Sequence, residues 1–202
     1  MNKFAQLPEA MQNALATNAG LMLSDFDPMS VGTAEEIRDK ILFATTGGVS
    51  VSCAATYSDF GADVDNCPAN TKEMLRVESW ACGLSGTAIT LTKDNALSLL
   101  ANADATSDGG VDTIQPRYTV KAEDFKTLWY VCPYGTSGGF IAVKLENALN
   151  TGGLSIASEN KGKGKFAFSY TGYSSIDDPQ SVPFTFFMKA TGEEEASQVE
   201  PA

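Results

Sequence analysis

The side chains that most often do chemistry are sparse here, and their spacing limits what they can do. The 202-residue sequence contains no histidine, which removes the commonest general base near neutral pH and the commonest zinc ligand. Ser-His-Asp and Cys-His arrangements are therefore excluded within one chain. The four cysteines, Cys53, Cys67, Cys82 and Cys132, form no CxxC pair and are poorly spaced for zinc. Three of them fall in strand-like runs and read as small buried hydrophobes with reduced thiols. Asp59, Asp63 and Asp65 lie close together, as do Asp104, Asp108 and Asp112. Either group could offer oxygen ligands to calcium, but neither has the alternation and closing Glu of an EF-hand loop. Asp side chains turning solvated loops account for both.

Lys161-Gly162-Lys163-Gly164-Lys165 looks superficially like a phosphate loop. It lacks the Ser or Thr that should follow the lysine, and it precedes a strand, not a helix. It reads as a charged hairpin turn or a small basic patch meeting an acidic neighbour. The glycine-rich stretch 135–139 also opens into a strand. Glu73, Glu78 and Glu146 are the carboxylates on strands, and nothing brings two of them together as glycoside hydrolysis requires. The expectation is a protein that is no enzyme and uses neither metal nor cofactor.

The elements that carry these residues are mostly strands. Val49, Val51, Cys53, Ala55 and Tyr57 alternate with Ser50, Ser52, Ala54, Thr56 and Ser58, the pattern of a strand with one face packed and one wet. Shorter runs at 19–24 and 41–45 precede it. A polar loop, Asp59 to Lys72, separates it from a second long run, Glu73 to Leu91, where apolar parity shifts near Gly83 and Gly86 as a β-bulge would require. Further strands are expected at 113–120, 127–134, 140–147, 154–158, 165–173 and 182–190. The aromatics Phe166, Phe168, Tyr170, Phe184 and Phe186 share a period of two and read as core. Trp80 and Trp129 also lie inside apolar runs. One helix is credible, capped by Thr92 or Asp94, with Ala96, Leu99 and Leu100 on one face; a helical turn at Ala34 to Asp39 is a weaker candidate. The predicted fold class is mainly β, with two packed antiparallel sheets forming a sandwich or barrel flanked by one α-helix. Residues 1–18 read as an N-terminal arm with a helical turn at Glu9 to Ala14, 19–190 as one domain, and 191–202 as an acidic, frayed tail.

Formal charge is −11, from 25 acidic and 14 basic side chains. That balance argues against direct nucleic-acid binding, which relies on Lys and Arg neutralising phosphates. It is compatible with a protein that lives beside DNA without holding it. No secretory signal is evident and no apolar run reaches the length needed to cross a bilayer, so a cytoplasmic protein with no membrane partner is expected.

The order of motifs resembles the major tail (tail tube) proteins of siphophages, especially those of Gram-positive hosts. The likeness spans about Asn18 to Ala190. It runs through Ala44-Thr45-Thr46-Gly47-Gly48-Val49, Tyr57-Ser58-Asp59-Phe60-Gly61, Asp65-Asn66-Cys67-Pro68, Asn70-Thr71-Lys72-Glu73 and Ser85-Gly86-Thr87. It continues through Gly138-Gly139-Phe140-Ile141, the segment 147–153 and Gly162-Lys163-Gly164-Lys165-Phe166-Ala167-Phe168. The resemblance implies a tube-protein fold, two packed β-sheets flanked by a helix, shared with type VI secretion tube proteins. It implies six subunits per ring, rings stacked into a conduit for genome delivery, and a virion location after assembly in the host cytoplasm. Implied partners are further copies of the chain, tail terminator and tail tip or initiator proteins, with tape-measure protein and DNA passing through the lumen unbound. It also implies an inter-ring contact loop at Asp59, Phe60, Asp63, Asp65, Asn66, Pro68 and Lys72, and an assembly arm carrying Phe4, Leu7 and Met11. A related reading is the tube of a phage-tail-like bacteriocin or injection device. A reading from another class is a monomeric β-sandwich ligand-binding module, which calls for an exposed aromatic platform.

Physical chemistry is compatible with a pipe. A free sheet edge invites another strand, and repeated head-to-tail pairing closes it. The Ser- and Thr-rich faces of 50–58 and 85–92 suit a water-filled bore. An acidic bore is expected to repel phosphate over about 8 Å at physiological salt.

Overall fold

The structure, a computed structural model, describes residues 19–135 and 138–189. The predicted arm, with Phe4, Leu7, Met11 and the turn at Glu9 to Ala14, lies outside the described residues, as does the acidic tail.

Alternation of small or polar with apolar side chains produces long strands here. In chain order the elements are β1 (Leu21–Leu23), α1 (Ala34–Asp39), β2 (Ile41–Phe43), β3 (Thr45–Asp59), β4 (Leu75–Ala88), α2 (Lys93–Leu100), β5 (Ala103–Asp108) and β6 (Val111–Pro116). A 3-10 turn at Ala122–Asp124 leads to β7 (Lys126–Tyr134), β8 (Gly139–Asn150), β9 (Ser155–Ala157), β10 (Lys165–Gly172) and β11 (Phe184–Lys189).

All pairings are antiparallel, and one hydrogen-bonded path runs β2-β1-β7-β8-β10-β4-β3, with β11 beside β8 and β9 beside β10. Strand β8 is where the path folds over. Its Phe140–Leu145 stretch pairs with β11, whereas Ala148–Asn150 pairs with β10. One layer is thus β2-β1-β7-β8-β11 and the other β9-β10-β4-β3. Leu128, Tyr130, Val143 and Leu145 from the first layer and Cys82, Leu84, Phe168 and Tyr170 from the second join in one buried cluster. The expected pair of sheets is therefore a single sheet whose two layers share a corner. A smaller cluster, Leu23, Phe26, Trp129 and Ala142, covers the back of the first layer, with Ile37 of α1 against it.

Helix α2 closes one end of the core. Thr92 caps it by accepting from the Asn95 N–H at 3.3 Å, and Leu99 is fully buried. The Asn95 amide donates to the Leu42 carbonyl at 2.6 Å, and Ser98 and Tyr170 share a hydroxyl–hydroxyl bond of 2.8 Å. The weaker helical candidate also forms: α1 starts in a capping box in which Thr33 and Glu36 bond reciprocally. Two α-helices flank the sheet, not one.

Other expectations need correction. No bulge occurs at Gly83 or Gly86, because β4 pairs with β10 without a register shift from Gly83 to Ala88. At this end the extra residues are in β3, where Gly47 and Gly48, at φ of 76° and 82°, sit between the pairs Thr46–Thr87 and Val49–Gly86; further out β4 holds one of its own, Glu78, between the pairs Thr56–Ser79 and Tyr57–Val77. Gly83 and Gly86 serve close approach instead: a Cβ at Gly83 would lie 2.8 Å from the Tyr170 carbonyl oxygen, and one at Gly86 2.8 Å from the Phe168 ring. The polar stretch 103–108, which is absent from the expected strands, is β5; it pairs with β6 through a Gly109-Gly110 turn, and the strand predicted at 113–120 ends at Pro116. Finally, β3–β4 register sets Cys53 opposite Cys82, and the two form a disulfide, contrary to the expectation of reduced thiols; Cys67 and Cys132 are free.

Candidate self-association surface

Strands β3 and β4 outrun the sandwich. From Cys82, which is buried, back to Leu75 the hairpin continues for roughly 20 Å at about 3.3 Å per residue. Side chains on the core-facing side of this extension are Trp80 opposite Ala55, Val77 opposite Tyr57, and Leu75 opposite Asp59. Among the described residues only the 174–182 segment comes near them, across an open cleft beside Val77 and Trp80, and they stay largely in solvent: Trp80 is 43% exposed, Tyr57 55%, Val77 48% and Leu75 45%. Trp129, by contrast, is 6% exposed within the second cluster. Reading both tryptophans as interior holds only for Trp129. Likewise, in the aromatic series read as core, Phe168 and Tyr170 are buried but Phe186 is exposed.

The opposite face of the same strands is polar and uncharged where the sandwich backs it. Ser50, Ser85 and Ser169 form one row across β3, β4 and β10, and Ser52, Gly83 and Thr171 form the next. Ala54 and Ala81 continue the face outward, and Thr56 and Ser79 follow. Charge enters only toward the tip, where Ser58 donates to Glu78 at 2.8 Å and the Arg76 guanidinium lies 5.0 Å from the Phe60 ring centroid. This face carries mainly hydroxyls, with Glu78 as its carboxylate toward the tip.

Loop 60–74, which joins the strands, is braced internally. Asp59 accepts from the Gly61 N–H at 2.9 Å and from the Asn70 N–H at 2.8 Å, using both carboxylate oxygens. Thr71 donates to the Pro68 carbonyl at 2.6 Å, and the Phe60 N–H donates to the Met74 carbonyl at 3.1 Å. Asn66 and Asn70 take left-handed backbone at φ of 60° and 61°, which asparagine tolerates. Of the residues predicted for a contact loop, Asp59 is thus a brace, and Phe60 sits against Arg76. Asp63, Asp65, Asn66, Pro68 and Lys72 all point to solvent. Sequence reasoning missed Tyr57, Leu75, Val77 and Trp80, whose alternation was visible but whose exposure was not.

Several of the remaining chemical candidates are held in ion pairs. Asp104 pairs with Arg117 and Lys121, and Asp112 with Lys93 at 2.7 Å. The Lys93 hydrogen bond, with help from Ser107, holds the Asp112 carboxyl below its ordinary pKa. Lys165 pairs with Glu159 within the turn before β10, and the glycine-rich stretch 135–139 joins β7 to β8. Burial raises the pKa of the free Cys132 thiol, which keeps it protonated and unreactive. Among the described residues no group of three or more Cys, Asp or Glu is placed to hold a metal, and no helix is long and apolar enough to cross a membrane.

The chain is mainly β, an antiparallel sandwich with an amphipathic hairpin extending beyond its core. No family model matches the chain, and no curated protein matches it significantly.

Proposed function

We propose that this chain is a tail tube protein, a structural subunit that polymerises into hexameric rings and stacked tubes and catalyses nothing. The supporting observation is the uncovered apolar stripe of Tyr57, Leu75, Val77 and Trp80. It continues the core face of a sheet past its own core, an arrangement that water penalises and a second subunit relieves. The free edge of β3, 15 residues long and last in the sheet, adds unpaired backbone groups that another strand can satisfy. A ring of such edges places a continuous sheet around an axis. The Ser, Thr, Ala and Gly face then lines a bore whose only cation among the described residues of that face is Arg76, at the hairpin tip beside Phe60, leaving little to grip phosphate. Within the tail-tube reading the fold is the tube-protein sandwich, DNA and tape-measure protein pass without specific binding, and terminator and tip proteins end the stack.

Negative-stain electron microscopy of concentrated purified protein tests this, alone and with the tail-tip complex added. Hollow rods of stacked rings are expected; a chain that stays monomeric under both conditions overturns the reading. The same architecture would serve a bacteriocin or injection tube. The exposed Trp80 and Tyr57 favour one second reading, a ligand-binding module, since an aromatic platform stacks on sugar rings and an open cleft of about 420 Å³ lies between Trp80 and the 174–182 segment. That reading expects a stable monomer whose Trp80 fluorescence responds to oligosaccharide.

A further inference from the structure

We propose that segment 1–18 of the same chain lies across the open end of its own sandwich, covering the Trp80 stripe in the free subunit and competing there with a second copy. The cover stands apart from the tube reading; only its effect on rod formation rests on that reading.

The stripe is one of two apolar walls at that end. On β11, Phe186 and Met188 pair with Val143 and Ile141 of β8, so they share the interior-facing side of the first layer with the main buried cluster. Both are nevertheless exposed. Strands β4 and β8 run in the same direction, since each is antiparallel to β10. The outer end of the hairpin, at Leu75, therefore lies at the same end of the sandwich as Gly139 of β8 and Lys189 of β11. There the interior faces of both layers run on past the packed core.

Chain direction brings one apolar segment to this place. Strand β1 is antiparallel to β7, and the pairing of Leu21 with Val131 puts residues 19 and 20 at the Tyr134 end of β7, which pairs with Gly139. Gly20 enters on the interior side. Its N–H donates to the hydroxyl of Tyr130, a member of the main cluster, at 3.3 Å, and a Cβ there would lie 2.6 Å from the Tyr130 ring. From β1 across β7 and β8 to β11 is three strand spacings, roughly 14 Å. The 18 residues before Ala19 can span up to about 60 Å. They carry Phe4, Leu7, Met11 and Leu15, with Lys3 and Glu9 as their only charged side chains. The segment after Lys189 starts from the same end, but it has four glutamates and Val199 as its one large hydrophobic. Apolar walls select the first segment.

The tail-tube resemblance gives Phe4, Leu7 and Met11 to contacts between copies. Seated on their own subunit, they hide the stripe first, and a second copy binds only the fraction of subunits from which they have left.

The test uses the full chain carrying F4S/L7S/M11S, with peptide 1–18 and a scrambled peptide as probes. All three substitutions precede β1; if circular dichroism shows the triple variant unfolded, M11S alone takes its place. Sedimentation velocity fixes a concentration at which wild type and variant are both monomeric. There, Trp80 emission in the variant should shift to the red and be quenched more readily by acrylamide, with Trp80→Phe chains supplying the Trp129 signal to subtract. Peptide 1–18 should reverse both changes, and the scrambled peptide should not. Equal Trp80 quenching in the two chains overturns the proposal. So does wild-type protection of Trp80 that fades on dilution, which assigns the cover to a second copy. With the tail-tip complex added, the variant should form rods at about tenfold less protein than wild type; a variant that needs as much or more overturns the competition. Absence of rods from both chains overturns the tube reading instead, and the Trp80 comparison still decides the cover.

Discussion

The side-chain amide of Asn150 donates to the Leu99 carbonyl at 2.6 Å, joining the end of β8 to the last turn of α2. The same side chain donates to the Gly153 carbonyl at 3.1 Å and accepts from the Ser169 N–H at 2.8 Å. A buried asparagine with its partners satisfied fixes helix, corner strand and β10 together, and removing it leaves backbone groups unpaired in the interior.

Asn150→Ala is expected to destabilise the fold by about 3 kcal/mol. For a chain of this size that is a fall of roughly 6–12 °C in melting temperature. Thermal unfolding followed by circular dichroism checks it; an unchanged melting point would show that the α2 junction is held by packing alone.

Arg117 and Asp124 form the least exposed ion pair among the described residues. Burial pushes the Asp124 carboxyl up, but the Lys121 N–H and the Arg117 guanidinium together outweigh it and hold its pKa below the ordinary carboxylate value. The pair's contribution is therefore complete above about pH 4, the unfolded value, and disappears as pH falls through the lower folded value. Arg117→Ala should cost about 2 kcal/mol at pH 7, and the gap from wild type should narrow below about pH 4. A gap that is constant with pH in urea melts would exclude this account.

The Cys53–Cys82 pairing is open to direct counting. Alkylation of the unfolded chain without reductant should modify two thiols, Cys67 and Cys132, and all four after reduction. Intact-mass spectrometry reads the result. Because 29 positions separate the partners, loop-closure entropy assigns the cross-link roughly 3.5 kcal/mol, so reduction should lower the urea midpoint while the hairpin stays folded.

Trp80→Ser and Tyr57→Ser should leave the monomer's melting temperature within a few degrees of wild type, because both residues are largely exposed. Rod formation should nevertheless be lost in the double variant, since buried Trp and Tyr dominate protein interfaces. Sedimentation velocity separates the outcomes: assembly of the double variant at wild-type concentration would remove the stripe from the interface.

Most strand positions were legible because period-two alternation reports which face is apolar; the polar β5, with no apolar face to report, was not. The α2 helix was legible because Thr92 sits where a cap belongs. What local pattern lacks is the relation between strands. A bulge was expected at Gly83 and Gly86 of β4, yet the extra residues there are Gly47 and Gly48 of β3, and the one in β4 is Glu78, further out. The disulfide needed the register that sets Cys53 opposite Cys82. Loop 60–74 was legible from its Asp, Asn, Gly and Pro content, whereas the Trp80 stripe was not: alternation tells which way Trp80 points, not where the opposing layer stops.

Strand β8 belongs to both layers, so no seam of side chains alone divides the sandwich. A pull on the hairpin tip is carried laterally from β3 to β2 through backbone hydrogen bonds loaded across the strands. The two halves are therefore joined by main chain and ladder bonds as well as by packing.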